Sequence, residues 1–416
     1  MRRFIVIALM ILSGVVFCAC GGKTGGKAEK TPAATAAATE GVSGEGITAT
    51  ERPFISANEA FSQAEALVKE MSLEEKVGQM FLVDMLQLDS SQTRDGNVYR
   101  LSKKAKQMLQ DYHIGGVYLF QNNIGNRKQT TKLVSELQQS VSGSALYVAV
   151  EEEGGGEYSL SARVPDLKET GYITQSEMGK NMSEQQVYQT GQTIAGELTE
   201  MGINLNLAPV ADVAAEENPE YGVRCFGTES DEVAEMVKNI VSGMRENGLA
   251  VTLKHFPGVG NVQGETSEEI LENRDSLMTL RNDNFPVYSE GIRAGADCVM
   301  VSNVSVSKVT MKKIPAFMSD DIVTSLLREE LDFDGVIMTS PLNDNVIKNN
   351  YTAGFAAVEA IKAGCDMLVL PDNLSESYQA VITAVEEGNL NEKVINTAVR
   401  RILQNKIQRG ILVLEQ

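Results

Sequence analysis

Two kinds of hydrophobic pattern alternate along most of the chain. The first repeats at helical spacing, as where Ala60, Ala64 and Val68 fall on one face of a predicted helix. The second is a short continuous apolar run, which is typical of a strand that is buried on both faces of a sheet. The runs predicted as strands are residues 146–150, 205–210, 249–253, 297–301, 335–339 and 366–370.

Residues that favour helix ends mark several of the predicted helices. Ser72 is a predicted N-cap, and Glu75 completes a capping box three residues later. Gly248 and Gly364 each follow an apolar helical stretch, where glycine favours the end of a helix. The other stretches predicted as helical are residues 130–139, 187–198, 233–244, 322–331, 355–361 and 395–408.

Repeated helix-then-strand units predict a parallel sheet that is covered by helices. Roughly eight such units predict an α/β fold whose sheet closes into a TIM-type (β/α)8 barrel. Residues 57–416 are predicted to form it as one domain. An open doubly wound sheet is the alternative, and the number of strands disfavours it. In a barrel the chemistry lies at the carboxyl ends of the strands, so residues that follow the apolar runs are candidates for a site.

The first 56 residues have a different composition from the rest of the chain. Two arginines precede an apolar run over residues 4–17, which has the length of a signal peptide and is short for a membrane span. Cys20 follows a small residue, which resembles a bacterial lipoprotein cleavage box. This predicts that residues 1–19 are a signal peptide and that Cys20 is lipidated; an ordinary secretory signal is the alternative. Residues 20–56 predict a flexible tether, because they contain almost no large apolar group.

The charge and the content of cysteine and histidine argue against several classes of partner. The formal net charge of -19 argues against nucleic acid and against an anionic lipid surface as partners. No two of the five cysteines have metal-ligand spacing, and Cys225, Cys298 and Cys365 are predicted to be buried thiols. The only histidines are His113 and His255, so neither a metal site nor an organic cofactor is expected.

The clearest motif follows the predicted strand 249–253. The sequence Lys-His-Phe-Pro-Gly at residues 254–258 resembles the signature of glycoside hydrolase family 3, in its β-N-acetylhexosaminidase branch. The resemblance implies a TIM-type barrel, an O-glycosyl hydrolase activity on carbohydrate, and no cofactor. Other segments resemble the same family in the same order, and agreement at many points makes the resemblance specific. These segments are residues 73–80, 115–120, 153–155, 208–213, 224–227, 333–339 and 363–367.

The resemblance also implies roles for individual residues. Lys254, His255 and Arg224 match sugar-contacting residues of the family, and Glu151 matches a sugar-binding aspartate. Ammonium and guanidinium groups donate hydrogen bonds to sugar hydroxyl and acetamido oxygens, which agrees with these roles. Asp212 is also predicted to bind substrate. The alternative is that Arg224 and Asp212 form a buried ion pair that only shapes loops.

The catalytic positions of the family are substituted. The family's nucleophile is an aspartate after the seventh strand's threonine, and Ser340 occupies that position here. The family's acid/base pair is an aspartate and a histidine on the loop after the Lys-His-Phe-Pro-Gly motif, and the matching residues are Glu265 and Ser267. Asn303 and Gly156 replace a further histidine and a basic residue. A retaining glycosidase needs a carboxylate nucleophile and a proton donor, so these losses argue against ordinary turnover.

The substitutions favour a binding protein over an enzyme. The sequence predicts an extracytoplasmic bacterial lipoprotein, held at the membrane only by its lipid, that binds an amino-sugar or peptidoglycan-type glycan with little or no hydrolysis. The first alternative is an active β-N-acetylhexosaminidase that uses Glu265 as acid, with Asp344 or the substrate's acetamido group in place of the nucleophile. The second is an interaction protein whose pocket is filled by Val259, Pro341 or Tyr221.

Overall fold

The computed structural model describes residues 55–92, 96–141, 143–155, 160, 164, 173–215, 222–262 and 269–414. One compact unit extends from Arg52 to Gln416. The predicted signal peptide and Cys20 lie outside the described ranges, as does the predicted tether up to Phe54. Within those ranges, no helix is both long enough and apolar enough to cross a membrane.

The centre of the fold is a parallel sheet of eight strands. These are β1 (Phe81–Asp84), β2 (Gly116–Tyr118), β3 (Tyr147–Val150), β4 (Leu205–Asn206), β5 (Ala250–Phe256), β6 (Cys298–Val301), β7 (Val336–Thr339) and β8 (Leu368–Val369). Neighbouring strands pair in chain order, and β8 pairs with β1. A parallel bridge between Met338 and Met367 joins β7 to the chain just before β8. The sheet is therefore a nearly closed barrel of the predicted (β/α)8 type, and the open doubly wound alternative is wrong.

Helices lie between consecutive strands in the chain. The α-helices are α1 (Ala57–Glu70), α2 (Leu73–Gln79), α3 (Met85–Leu88), α4 (Lys103–Asp111), α5 (Arg127–Gln138), α6 (Gln175–Asn181), α7 (Glu184–Glu200), α8 (Ser230–Glu246), α9 (Leu277–Thr279), α10 (Phe285–Arg293), α11 (Ser307–Thr310), α12 (Asn345–Lys348), α13 (Ala353–Ala363), α14 (Leu374–Glu386) and α15 (Glu392–Gln408). Two π-helical segments, Leu280–Asn284 and Asp321–Glu330, complete the main elements. Short 3-10 turns are Ser90–Gln92, Gln121–Asn123 and Ala316–Met318.

The strands form a core that is apolar on both faces. Every residue of β3, β6 and β7 is buried, which explains why these strands are continuous apolar runs in the sequence. The helices bury a single face, as α8 does with Val233, Val237 and Ile240. Each such side chain contributes about 1.5–3 kcal/mol when it is fully buried.

The predicted helix ends agree with the structure. The Ser72 side chain accepts a hydrogen bond from the Glu75 backbone N–H at 3.2 Å, and the Glu75 carboxylate accepts one from the Ser72 N–H at 2.8 Å. This is the predicted capping box at the start of α2. Gly248 and Gly364 have φ values of 79° and 111°, a backbone conformation that costs glycine little.

Two predicted strands are shorter in the structure than in the sequence pattern. The run 205–210 contains only the two-residue strand β4, although the Leu207 N–H still donates to the Val150 carbonyl at 2.8 Å. Pro209 has no N–H to donate, and Val210 makes a single bridge with Lys254. The run 366–370 contains the two-residue strand β8, and before it the Asp366 side chain accepts the Ile337 N–H at 2.9 Å.

Buried polar groups tie α15 to the amino-terminal end of the barrel. Lys406 on α15 is fully buried and donates to the Gln79 side-chain oxygen at 3.0 Å and to the Gly115 carbonyl at 2.9 Å. Burial lowers the pKa of Lys406 to about 7. Arg409 donates to Asp297 at 2.7 Å, directly before β6. This end of the barrel is thus closed by packing and buried polar contacts, while the opposite end is open to ligands.

The three cysteines of the described ranges are buried free thiols, as predicted. Cys225 and Cys298 have no exposed surface, and Cys365 is 1% exposed. Burial raises the pKa of each thiol above its ordinary value.

Candidate active-site cavity

A cavity of about 260 Å³ lies at the carboxyl ends of the strands, where a barrel of this type places its chemistry. Apolar side chains such as Leu207, Val259 and Met300 form part of its wall. A larger and shallower groove of about 780 Å³, between α13 and α14, holds none of the predicted site residues. The cavity is lined by Tyr118, Glu151, Leu207, Arg224, His255, Val259, Glu269, Leu271, Met300, Ser302, Asn303, Val304, Ser340, Pro341, Asp344 and Val346.

Two cations and two glutamates form a cluster on one side of the cavity. Arg224 binds Glu153 through two parallel hydrogen bonds, from Nε at 2.9 Å and from Nη2 at 2.6 Å. The Lys254 ammonium lies 2.6 Å from the same Glu153 carboxylate and also donates to Glu151. Glu151 in turn accepts a hydrogen bond from the Tyr118 hydroxyl at 3.0 Å. Tyr118 at the end of β2, the two glutamates after β3 and Lys254 near the end of β5 are thereby joined by charge-assisted contacts.

The charge state of this cluster follows from its burial and its pairing. Burial by itself raises the pKa of Glu153, but the Lys254 ammonium and the Arg224 guanidinium outweigh burial and lower that pKa well below its ordinary value. Glu153 is therefore ionised at neutral pH and holds both cations in place. Burial and the nearby Glu151 raise the pKa of Tyr118, which keeps this hydroxyl a neutral donor.

His255 lines the cavity, and a buried carboxylate outside the cavity wall fixes the orientation of its ring. Its Nδ1 lies 2.9 Å from an oxygen of Asp212, which is fully buried. Asp212 also accepts from the backbone N–H groups of His255, at 3.3 Å, and of Val259, at 3.0 Å. Asp212 is not part of the cavity wall, so it positions the imidazole and does not itself contact the cavity. The alternative in which Arg224 pairs with Asp212 is wrong, because Arg224 reaches the end of β3 and pairs with Glu153.

The opposite side of the cavity is built from the ends of β6 and β7. Ser340 follows β7 directly and is 4% exposed. Asn303 follows β6 and donates to the Asp344 carboxyl at 2.5 Å and to the Pro341 carbonyl at 3.3 Å. Burial raises the pKa of Asp344 to about 6, although the Asn303 hydrogen bond and the charge of Lys348 lower it.

Most of the predicted site residues lie together. Six of those predicted to bind or react line the cavity or touch a residue that does: Lys254, His255, Arg224, Glu151, Asp212 and Ser340. Glu265, the predicted acid, lies outside the described residues, so its role stays a prediction, and Tyr221 lies outside them as well. Val259 and Pro341, which one alternative expected to fill the pocket, line the cavity of about 260 Å³ and do not fill it.

Three residues of the site have no predicted role in the sequence. In the sequence, Glu153 was noted only within the segment 153–155 that resembles the family. Its position shortly after the apolar run 146–150 was the feature that could have indicated a site residue. Tyr118 ends β2 in the same way. Ser302 lines the cavity beside Asn303 and is 2% exposed. Each lies at the carboxyl end of a strand, which is the rule that could have identified it.

The arrangement offers hydrogen bonds from both walls. The Arg224 side can donate through the guanidinium and accept through Glu151, and the Asp344 side can accept through carboxyl and amide oxygens. Among the described residues, no group of three or more histidine, cysteine, aspartate or glutamate side chains could hold a metal ion. Donors and acceptors on the two walls suit a ligand with many hydroxyl groups and a few other polar groups.

Comparison with known protein families gives one match over most of the chain. Residues 72–405 match the model of the glycosyl hydrolase family 3 N-terminal domain. A beta-hexosaminidase of Stenotrophomonas maltophilia (strain R551-3) is 31% identical over 291 residues, which are 68% of this chain and 84% of that protein. A beta-hexosaminidase of Xylella fastidiosa (strain M23) is 29% identical over 288 residues, with the same two coverages.

Solved structures give the same result for the fold. A glycoside hydrolase family 3 beta-N-acetylglucosaminidase from Paenibacillus sp. FPU-7 superposes with a TM-score of 0.74 at 28% identity. That match covers 83% of this chain and 65% of the other, which is longer. A beta-N-acetylhexosaminidase from Beutenbergia cavernae superposes with a TM-score of 0.70 at 28% identity, over 82% of this chain and 99% of the other.

Proposed function

This chain belongs to the family of the glycosyl hydrolase family 3 N-terminal domain, and from that premise we propose that it binds an amino-sugar or peptidoglycan-type glycan with little or no hydrolysis. The hexosaminidase relatives supply the substrate class. The binding groups of the cavity supply the means to hold such a glycan, and the substituted catalytic positions argue against turnover.

Ser340 is the observation that carries the proposal. It follows Thr339 at the end of β7 and lines the cavity, at the position where the family has its aspartate nucleophile. A neutral hydroxyl cannot stabilise the positive charge of an oxocarbenium-like transition state as a carboxylate does. Activation of the hydroxyl would require an adjacent base. The imidazole of His255 is held by Asp212 at its Nδ1.

The groups that would bind a sugar are retained. Arg224 is fixed by Glu153, so little conformational entropy is lost when it donates to sugar oxygens. Lys254 is 1% exposed and does not line the cavity, so it holds Glu151 and Glu153 in place behind the wall. His255 presents its ring to the cavity in a set orientation. Glu151, which accepts from the Tyr118 hydroxyl, adds an acceptor on the same wall. This preorganised wall supports binding even where chemistry is lost.

We also propose that the protein is anchored to the outer face of the bacterial cell membrane through a lipid on Cys20. The support is the sequence alone: the apolar run, the small residue before the cysteine, and the polar tether that follows. The tether would let the barrel reach glycans at a distance from the membrane.

One observation favours a second candidate function, an active β-N-acetylhexosaminidase with unusual catalytic groups. Asp344 lines the same cavity as Ser340, and with a pKa of about 6 its carboxyl group is mostly ionised at pH 7, as a nucleophile must be. With Glu265 as acid, Asp344 or the substrate's acetamido group would take the place of the missing nucleophile.

Hydrolysis and binding are tested on the same purified protein. The release of a chromogenic leaving group from an N-acetyl-β-glucosaminide is followed over hours for the wild type, Ser340→Asp, Glu265→Gln and Asp344→Asn. The melting temperature is measured with amino-sugar disaccharides and with cellobiose, which has no nitrogen, as the matched control. A ligand at about 100 times its Kd adds about 2.7 kcal/mol to the free energy of unfolding.

We expect no wild-type turnover and a melting-temperature increase with an amino-sugar disaccharide only. Clear wild-type turnover that Glu265→Gln or Asp344→Asn abolishes would establish the second candidate instead. The absence of both turnover and stabilisation would contradict the proposal.

A further inference from the structure

The β6–β7 wall of the cavity contains hydrogen-bond acceptors that have no partner. The side-chain oxygen of Asn303 and the hydroxyl of Ser302 are buried and have no hydrogen-bond partner among the described residues. Ser302 is 2% exposed and lines the cavity. A buried polar atom without a partner costs about 1–3 kcal/mol, so a ligand that supplies the missing hydrogen bond is favoured.

The orientation of the Asn303 amide is set by its neighbours. Its nitrogen donates to the Asp344 carboxyl at 2.5 Å and to the Pro341 carbonyl at 3.3 Å, which are both acceptors. The amide oxygen must therefore be the atom that is left unpartnered. It lies beside a carboxyl group, so this wall offers acceptors to a ligand.

The same wall carries negative charge that no described cation neutralises by contact. Asp344 forms no ion pair within 4 Å of a described residue, and its partner Asn303 is neutral. Glu269, an exposed carboxylate at the same cavity, also forms no ion pair with a described residue. The two cations of the opposite wall, Arg224 and Lys254, are already paired with Glu153 and Glu151. A positively charged group would be attracted to the Asp344 side.

We propose that this wall, formed by Ser302, Asn303 and Asp344, binds the free amino group of a hexosamine, so that the protein prefers glycans whose amino sugars have lost their acetyl groups. This inference rests on the proposed glycan-binding function and narrows its ligand. An ammonium group brings three donors, which match a carboxylate oxygen, an amide oxygen and a hydroxyl. An acetamido group brings one donor and a carbonyl oxygen; that oxygen could accept only from the Ser302 hydroxyl, while the oxygens of Asn303 and Asp344 would repel it.

The test compares two disaccharides that differ only in N-acetylation, di-glucosamine and di-N-acetylglucosamine, by calorimetric titration at pH 7. The proteins are the wild type, Asp344→Asn and Ser302→Ala. Asp372→Asn is the matched control, because Asp372 is an exposed carboxylate on the loop after β8 that does not line the cavity. Melting temperatures without ligand verify that each variant is folded.

We expect the wild type and Asp372→Asn to bind di-glucosamine at least tenfold more tightly than the acetylated form, about the strength of one charge-assisted hydrogen bond. Asp344→Asn should remove this preference, and Ser302→Ala should reduce it, while both still bind. Equal affinity for the two sugars, a preference for the acetylated sugar, or an unchanged preference in Asp344→Asn would overturn the inference and leave glycan binding intact. If the wild type binds neither disaccharide, the proposed function itself fails.

Discussion

Glu153 shows how a single residue can organise the binding wall. It is almost fully buried, and such a carboxyl group would ordinarily be neutral. The ammonium of Lys254 and the guanidinium of Arg224 keep it ionised. In return the carboxylate fixes both cations, which the family resemblance assigns to sugar binding. Glu153 therefore depends on the two cations for its charge state, and the three residues hold one another in position.

Lys254→Met should test this dependence. The change leaves Glu153 with one cation in a buried site, so we expect the free energy of unfolding to fall by about 3–5 kcal/mol in urea denaturation. Lys69→Met is the control, because the Lys69 pair with Glu65 is exposed and should contribute less than about 0.5 kcal/mol. A loss below about 1 kcal/mol in Lys254→Met would show that Arg224 alone satisfies Glu153.

The identity of the site residues was more predictable from sequence than their pairing. Lys254, His255 and Arg224 could be found because they follow apolar runs within recognisable motifs. The partners of Arg224 could not, because the loop after β4 can reach either neighbouring strand end and the sequence does not specify which. The burial of Asp344, and hence its raised pKa, likewise depends on how Asn303 packs against it.

At the scale of elements, α15 carries a buried amine into the amino-terminal end of the barrel. Lys406 lies 5.0 Å from the centre of the Tyr147 ring and donates to two oxygens. Burial away from water disfavours the ammonium form and lowers the pKa of Lys406, while the two oxygens accept hydrogen bonds from this group in either form.

The lowered pKa of Lys406 should make the stability of the protein depend on pH. The pKa of Lys406 is about 7 in the folded protein and 10.5 ordinarily, so between these values the unfolded chain binds a proton that the folded protein does not. Stability contributed by this residue should therefore rise with pH across that window, by about 1.4 kcal/mol per pH unit. The measurement is the free energy of unfolding in urea, from pH 6.5 to 10, for the wild type and Lys406→Met. The wild-type value minus the Lys406→Met value should rise with pH. Parallel curves would contradict the assignment.

The elements themselves were largely predictable. Strands β3, β6 and β7 appear in the sequence as unbroken apolar runs because both of their faces are buried. The lengths of β4 and β8 were not, because hydrophobicity does not report which backbone groups pair with which, as where the Ile337 N–H donates to the Asp366 side chain. The π-helical geometry of Asp321–Glu330 was also not visible, because its apolar spacing resembles that of an α-helix.

At the scale of the whole molecule, one end of the barrel contributes to stability and the other end holds the candidate binding site. The amino-terminal end is held together by buried contacts of α15, including Lys406 and the Arg409–Asp297 pair. The carboxyl end holds the cavity and its paired cations. Substitutions at the first end should change stability, and substitutions at the second should change binding as well.

The proposed lipid anchor predicts where the protein is found in the cell. Wild-type protein should incorporate labelled fatty acid and remain in the membrane fraction, because Cys20 is the proposed lipidated residue. Cys20→Ala should remove both properties, whereas Cys18→Ala should keep them. Fractionation with metabolic labelling checks each protein. Fatty acid on Cys20→Ala would contradict the assignment.

The three buried thiols of the barrel have a practical consequence. Thiol reagents react with the thiolate, and burial both shields Cys225, Cys298 and Cys365 and raises their pKa values. The folded barrel should therefore be inert to alkylation, and each modified thiol records one opening of the chain around it. Because Cys225 follows β4, Cys298 lies in β6 and Cys365 precedes β8, the rate at which each thiol is alkylated reports how often a separate part of the barrel opens.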